Sequence, residues 1–176
     1  MLIQEIRARQ ALDECNMNSH IKVVHAEIPK TFIGDKEYTL VFPRSILKYG
    51  LNEKNIYISF IGKITPQRKI VIDKIKHLYT GVHIINSLNG RDLKKKVFDV
   101  SYYNNLGNSY FVLCPDGDFI WSYRFFEAIL CNAIPIIENE SVLYKDYKFY
   151  KLGDKIEYKQ EWVDFNLKKI KREMLL

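Results

Sequence analysis

The sequence is poor in cysteine and has no long apolar run. Its 176 residues include three cysteines, with no Cys-x-x-Cys pair and no histidine at metal-ligand spacing, so neither a disulfide framework nor a zinc site is indicated. No stretch reaches the roughly 18 apolar residues of a membrane span, and no basic region followed by an apolar one marks the N-terminus as a signal peptide. Free thiols suit a reducing compartment, so we expect a cytoplasmic protein.

Glycine and proline are also scarce, at 8 and 5 residues, whereas 47% of the residues are hydrophobic and 14% aromatic. This composition excludes collagen-like and disordered chains and is enough to build a core. The length predicts one domain, or one domain plus a partial second. The formal net charge of +6 favours an anionic partner: a phosphate ligand, a nucleic acid or an acidic membrane surface.

The chain changes character near residue 50. Before it, the pattern predicts a helix over residues 2–14 and two extended runs, 21–25 and 38–42. After it, four apolar runs predict strands, at residues 56–61, 82–85, 109–114 and 133–137. Helical patterns lie between them: one opened by Pro66, one carrying Leu93, Val97 and Val100, and one over residues 122–132. This alternation predicts an α/β, Rossmann-like fold with a parallel sheet and helices on both faces.

A last amphipathic helix is predicted from about Glu161. Its apolar residues form one stripe, made of Val163, Leu167, Ile170 and Met174, and its basic residues lie elsewhere. Two interpretations stay open at this stage. The helix either docks on its own sheet or makes a peripheral contact with a membrane.

Polar residues follow the first strand of the regular part, where ligands bind to open parallel sheets. Gly62 lets the backbone approach a ligand, and Thr65 can cap the helix that Pro66 opens. Lys63 and Arg68 add positive charge around amides that point outward, which suits a diphosphate. The alternative is a capped helix that merely has basic neighbours.

The helix over residues 122–132 is apolar nearly all round, yet it carries Arg124 and Glu127 on one face. These charges can form an internal ion pair, which contributes little stability after desolvation. They can also form a site: Ser122 and Arg124 near the helix N-terminus bind phosphate oxygens, and Glu127 accepts hydrogen bonds from a ribose diol. The two interpretations are compatible.

Asp116-Gly117-Asp118 has the spacing of a D-x-D metal motif. Pro115 precedes it, and Pro-Asp-Gly is common in turns. We therefore predict a turn, with no metal and no cofactor.

Three segments of this region together resemble a known family. They are Ser109-x-Phe111-x-Leu113-x-Pro115-x-Gly117, Ser122-x-Arg124-x-x-Glu127-Ala128 and Ile134-Pro135-Ile136-Ile137. With Tyr103-x-x-Leu106 and the segment from Gly62 to Arg68, residues 55–145 resemble the nucleotide-sugar-binding half of exostosin-type glycosyltransferases. The resemblance implies a GT-B fold, in which two Rossmann-like domains face each other and the C-terminal one holds the sugar nucleotide.

The resemblance also implies an activity, the transfer of a sugar from a nucleoside-diphosphate sugar to a glycan or lipid-linked acceptor without a metal. The implied donor-binding residues are Gly62, Lys63, Arg68, Pro115, Gly117, Ser122, Arg124 and Glu127. Arg68, Ser122 and Arg124 would stabilise the charge on the departing nucleoside diphosphate. One departure is Asn132-Ala133, where the family usually has a small residue, often glycine, before the Ile-Pro strand.

On this reading the chain has three parts: residues 1–52 as a short acceptor-side region, 53–160 as the nucleotide-sugar-binding domain, and 161–176 as the terminal helix. A GT-B acceptor domain is usually longer, so we expect that a partner chain could supply it. The catalytic base stays unassigned, with His25, Glu27 and Asp35 as candidates within residues 1–52.

Two other functions compete with a complete transferase. One is a non-catalytic nucleotide-sugar-binding half that needs a partner chain. The other is a nucleic-acid-binding module, suggested by the +6 charge and by basic stretches at residues 94–96 and 168–172. Acidic residues lie close to both stretches and no RNA-recognition strand is present, so we expect no nucleic acid partner.

Overall fold

The structure is a computed structural model that describes residues 2–86 and 100–176. Its strands are β1 (Ile21–Val24), β2 (Lys30–Ile33), β3 (Lys36–Tyr38), β4 (Ile56–Gly62), β5 (Val82–Asn86), β6 (Ser109–Cys114), β7 (Ile134–Ile137) and β8 (Tyr150–Lys151). Its α-helices are α1 (Ile3–Glu14), α2 (Pro66–Leu78), α3 (Val100–Gly107), α4 (Tyr123–Leu130) and α5 (Gln160–Met174). Within the described residues, 3-10 helices cover Arg44–Leu51 and Val142–Tyr144.

The main sheet is parallel and has the order β5-β4-β6-β7-β8. The predicted α/β, Rossmann-like fold is confirmed, and the four predicted strands of the regular part appear as β4 to β7. The chain runs from β4 to β5 on one side and then returns to form β6 on the other side of β4. The sheet therefore has its topological switch point between β4 and β6. The predicted helix positions Leu93 and Val97 lie outside the described residues.

Helices cover both faces of this sheet, and the alternation of β6 shows which helix covers which face. Phe111 and Leu113 belong to a core that contains the apolar residues of α2. Val112 and Cys114 point to the opposite face and join a core built with α3 and α4. All four of these β6 side chains are buried, as expected for a central strand with both faces covered.

Residues before the main sheet form a smaller layer. The strands β1, β2 and β3 make an antiparallel sheet, and α1 packs on it around a small core that includes Ala8, Leu12 and Ile33. The helix predicted over residues 2–14 is confirmed. The strand predicted over residues 38–42 is wrong, because β3 ends at Tyr38. The strand β2 was not predicted.

The reason lies in the apolar residues Leu40, Val41 and Phe42. They are buried in the core but do not pair with a strand, and the Phe42 N–H donates to the carbonyl of Met174 in α5 (2.9 Å). A buried segment needs consecutive apolar residues, and the same pattern is typical of a buried strand. The real strand β2, Lys-Thr-Phe-Ile, is short and half polar, so its pattern is weak.

The terminal helix α5 docks on its own domain. Val163, Ile170 and Met174 from its apolar stripe are buried, and Leu167 packs against the core. The stripe is therefore covered by the protein itself. Among the helices of the described ranges, none combines the length and apolar character that crossing a membrane requires.

Candidate functional site

The central strands β4 and β6 bring the two polar clusters of the sequence to one edge of the sheet. Residues that follow β4 and residues that lead from β6 into α4 meet there, at the switch point. The N-terminus of α4 lies at the same edge, because the Arg124 guanidinium Nη2 donates to the carbonyl of Ile61 in β4 (2.8 Å). This edge is where a doubly wound fold binds ligands.

Ser122 begins α4 as its N-cap. Its hydroxyl accepts a hydrogen bond from the Arg124 N–H (3.0 Å), and its own N–H donates to the phenol oxygen of Tyr144 (2.8 Å). Ser122 is buried. The remaining backbone N–H groups of the first turn and the positive end of the helix dipole favour an anion at this position.

Arg124 is 7% exposed and has an unusual environment for a buried charge. Its guanidinium lies over the ring of Phe60 (4.6 Å to the centroid), and its Nε is buried without a hydrogen-bond partner. Among the described residues no carboxylate forms an ion pair with it. A buried guanidinium with open donor capacity is suited to bind an anionic ligand.

Gly62 contacts this arginine directly. A Cβ atom on Gly62 would lie 2.5 Å from Arg124 Nη2, so the guanidinium fills the space that a side chain would need. A close approach of the Gly62 backbone to a ligand stays a prediction.

Arg68 is a second guanidinium beside the first. It is half-buried on the first turn of α2, and its Nη1 donates to the carbonyl of Lys63 (3.0 Å). Burial lowers the pKa of Arg68 below its usual value, the positive charge of Arg124 lowers it further, and Asp118 opposes these effects. Two neighbouring cationic groups at this edge of the sheet raise the local positive potential, which favours an anion over a cation.

The predicted cap of α2 is confirmed, since the Thr65 hydroxyl accepts a hydrogen bond from the Arg68 N–H (3.3 Å). Lys63, just before it, is exposed. Its carbonyl orients Arg68, and its ammonium group stands in solvent at the same edge of the sheet.

Glu127 lies one turn deeper in α4 and is fully buried. Its ion-pair partner is Arg7 of α1 (Nη2 to Oε2, 3.2 Å), and it accepts hydrogen bonds from the hydroxyls of Tyr102 (3.3 Å) and Tyr103. The internal ion pair that the sequence suggested is thus made with Arg7 and not with Arg124. The predicted contact of Glu127 with a ribose stays a prediction.

Pro115 and Gly117 lie in the loop between β6 and α4. Pro115 is buried and Gly117 is exposed, and the Gly117 N–H donates to the carbonyl of Trp121 (3.2 Å). The adjacent Asp116 accepts a hydrogen bond from Asn139 (2.7 Å). Within residues 2–86 and 100–176, no group of three or more His, Cys, Asp or Glu side chains is arranged to hold a metal ion.

The N-terminal layer reaches this loop through residues 25–27. His25 Nε2 lies 3.4 Å from Asp118 Oδ2, and the Trp121 indole N–H donates to the carbonyl of Ala26 (3.0 Å). Glu27 accepts a hydrogen bond from the Ile120 N–H (3.4 Å). Two of the three candidate bases therefore lie beside the loop that leads into α4. The third, Asp35, is exposed in the turn between β2 and β3.

The structure thus brings Gly62, Arg68, Ser122 and Arg124 together, with Lys63, Pro115 and Gly117 in the adjoining loops and Glu127 in the buried network below. Sequence reasoning missed Arg7, Phe60 and Tyr144. The only signal for Arg7 is a basic residue in an N-terminal helix, and nothing in the local pattern marks Phe60 or Tyr144 as different from core aromatics.

Comparison with models of known protein families gives a match. A family model described as Exostosin GT47 domain matches residues 12–149, which is more than half of the chain. The match begins within α1 and so includes the antiparallel layer, whereas the resemblance seen in the sequence began at residue 55. A search of curated proteins found no match.

Proposed function

The chain belongs to the exostosin GT47 family of glycosyltransferases, and from this premise we propose that it binds a nucleoside-diphosphate sugar at the switch point and transfers the sugar to a glycan or lipid-linked acceptor. The observation that carries the proposal is the environment of Arg124. It is a buried guanidinium with an unpartnered Nε, beside a second guanidinium and the N-terminus of α4.

In this proposal the diphosphate lies between the two arginines. Arg124 and Arg68 bind its oxygens, and the backbone N–H groups that follow Ser122 add hydrogen bonds from the helix N-terminus. Lys63 adds charge from solvent, while Pro115 and Gly117 shape the loop on the other side. When the bond from the sugar to the diphosphate breaks, negative charge develops on the departing phosphate. These preorganised cations stabilise that charge and make a metal unnecessary.

Glu127 has a more demanding role in the proposal. It already accepts hydrogen bonds from Tyr102 and Tyr103 and pairs with Arg7. A ribose hydroxyl that donates to Glu127 has to take the place of one of these donors. Glu127→Gln keeps the shape of the side chain and removes its charge. We therefore expect it to weaken the binding of nucleoside diphosphates more than the binding of inorganic diphosphate, which has no ribose.

The test is calorimetric titration of UDP and GDP into the wild type and Arg124→Ala. Removal of a charged hydrogen-bonding group costs about 1.5–3 kcal/mol, so we expect nucleotide affinity to fall about 10- to 100-fold. Arg124→Lys keeps the positive charge but lacks the planar set of guanidinium donors, so we expect its nucleotide affinity to lie between those of the wild type and Arg124→Ala. Arg172→Ala, at an exposed arginine near the end of α5, is the control. Equal affinities for wild type and Arg124→Ala would refute the site.

A second candidate function shares the site but lacks turnover. The chain would then be a nucleotide-sugar-binding half that works only with a partner chain. Donor hydrolysis measured at enzyme concentrations above the donor concentration separates the two. A complete transferase releases nucleoside diphosphate, also in the presence of EDTA, whereas a binding half releases none until a partner chain is added.

A further inference from the structure

We infer that Gly62 is a positioning residue that acts through Arg124. Because Gly62 at the end of β4 has no side chain, the guanidinium of Arg124 can occupy the space beside it. The consequence for a ligand rests on the proposed function, whereas the relation between the two residues does not.

Three consecutive residues of β4 hold the guanidinium, each in a different way. The Phe60 ring lies under it at 4.6 Å, and the Ile61 carbonyl accepts a hydrogen bond from Nη2 at 2.8 Å. Gly62 contributes only space: its Cβ would lie 2.5 Å from Arg124 Nη2, 3.1 Å from Phe60 Cζ and 3.5 Å from Arg124 Cζ. We call these three residues the arginine seat.

Backbone conformation does not explain the glycine. Gly34, Gly81 and Gly153 have positive φ angles, which favour glycine, but Gly62 is not among them. Its backbone is that of an ordinary strand end, which a residue with a side chain adopts freely. The requirement for glycine at this position is therefore spatial, and the group that comes closest in that space is Arg124, ahead of Phe60.

A methyl group at position 62 would force Arg124 to give up contacts that hold its guanidinium. The side chain is 7% exposed and its neighbours Phe60 and Ile61 are buried, so a new methyl group displaces the guanidinium from its position against these two residues. The guanidinium would then leave the ring face of Phe60 and lose the hydrogen bond that fixes its direction. A charge in a new position binds a diphosphate less well, because bidentate recognition depends on the plane of the guanidinium.

Thermal unfolding of four proteins tests the seat without any ligand: the wild type, Gly62→Ala, Arg124→Ala and the double variant. We expect Gly62→Ala to lower the Tm by about 2–4 °C, which corresponds to a modest loss for a chain of this size. In the Arg124→Ala background the closest obstructing group is absent and Phe60 is the nearest one left, so the same substitution is expected to lower the Tm clearly less than in the wild type. This comparison cancels any effect that the methyl group has by itself.

Titration of UDP and GDP into the same four proteins tests the consequence for the ligand. Gly62→Ala is expected to bind about 10-fold more weakly than the wild type, and the double variant no more weakly than Arg124→Ala. Equal Tm effects of Gly62→Ala in both backgrounds, or additive losses of affinity, would overturn the inference.

The two proposals fail in different ways. Coupled Tm values with no nucleotide binding by the wild type would refute the proposed function and support the arginine seat. Uncoupled Tm values together with a loss of affinity in Arg124→Ala would refute the seat and support the proposed function.

Discussion

At the scale of single residues, burial decides the chemistry of the three thiols. Cys15 is exposed after α1, whereas Cys114 at the end of β6 and Cys131 after α4 are buried. Loss of hydration raises the pKa of the Cys114 thiol to about 12 and that of Cys131 still further. Since the thiolate is the nucleophilic form, neither buried cysteine is a nucleophile at neutral pH.

We therefore predict that a disulfide reagent modifies one thiol in the folded protein at pH 8 and three in denaturant. The thiol that reacts rapidly in the folded protein is that of Cys15. Cys15→Ser should therefore show no rapid reaction when folded, and two modified thiols in denaturant. The measurement is the absorbance of the released thiolate over time. Two or three fast equivalents in the folded wild type would contradict the burial of Cys114 and Cys131.

At the scale of elements, the start of α4 is fixed from outside the helix. Tyr144, in the 3-10 helix that follows β7, accepts the Ser122 N–H and stacks on Phe125 (3.8 Å between centroids, 13° between planes). The Ser122 hydroxyl supplies the cap. The first turn of α4, which carries Arg124, therefore keeps one orientation relative to β4.

Loss of the cap should affect both stability and the site. We expect Ser122→Ala to lower the free energy of unfolding by about 1 kcal/mol, the usual value for an N-cap serine, and to weaken nucleotide binding by freeing the first turn of α4. Ser19→Ala, at a half-buried serine between α1 and β1, is the control. Denaturant unfolding and titration of UDP check the two parts. Equal nucleotide affinities for the two variants would argue against a role of the cap in the site.

At the scale of the whole molecule, a buried ion pair joins the N-terminal layer to the parallel sheet. Arg7 in α1 and Glu127 in α4 are 120 residues apart in the sequence, and their side chains are 7% and 0% exposed. The guanidinium of Arg7 also lies 5.7 Å from the centre of the Tyr103 ring. Because this pair is buried between the layers, residues 1–52 are not an independent appendage of the main sheet.

Breaking the pair from one side leaves a buried charge. We predict that Arg7→Met lowers the free energy of unfolding by about 3–5 kcal/mol, and that Arg7→Met with Glu127→Gln recovers part of the loss, because the unpaired carboxylate is then absent. Denaturant unfolding of both variants, with Arg9→Met at an exposed arginine of α1 as control, measures the effect. A double variant less stable than Arg7→Met would show that Glu127 stabilises the fold independently of Arg7.

The regular half of the fold could be predicted because its signals are local. The run Ile56–Gly62 is apolar and β-rich, Pro66 and Thr65 mark the start of α2, and the apolar strands are the signature of a sheet buried on both faces. The antiparallel layer was predicted less well. Its strands are short, and in Leu40–Phe42 core burial produced the same pattern that strand pairing would produce.

The sequence by itself determined the fold class and the edge of the sheet at which polar groups gather. These follow from periodicity and from the fixed direction of parallel strands. Only the tertiary structure decided which charges pair. It placed Arg7 against Glu127 and Arg124 against Phe60 and Gly62, with no ion pair from Arg124 to a carboxylate of residues 2–86 or 100–176. The reason is physical: an ion pair depends on distances of a few ångströms between elements far apart in the chain, and no local pattern encodes such distances.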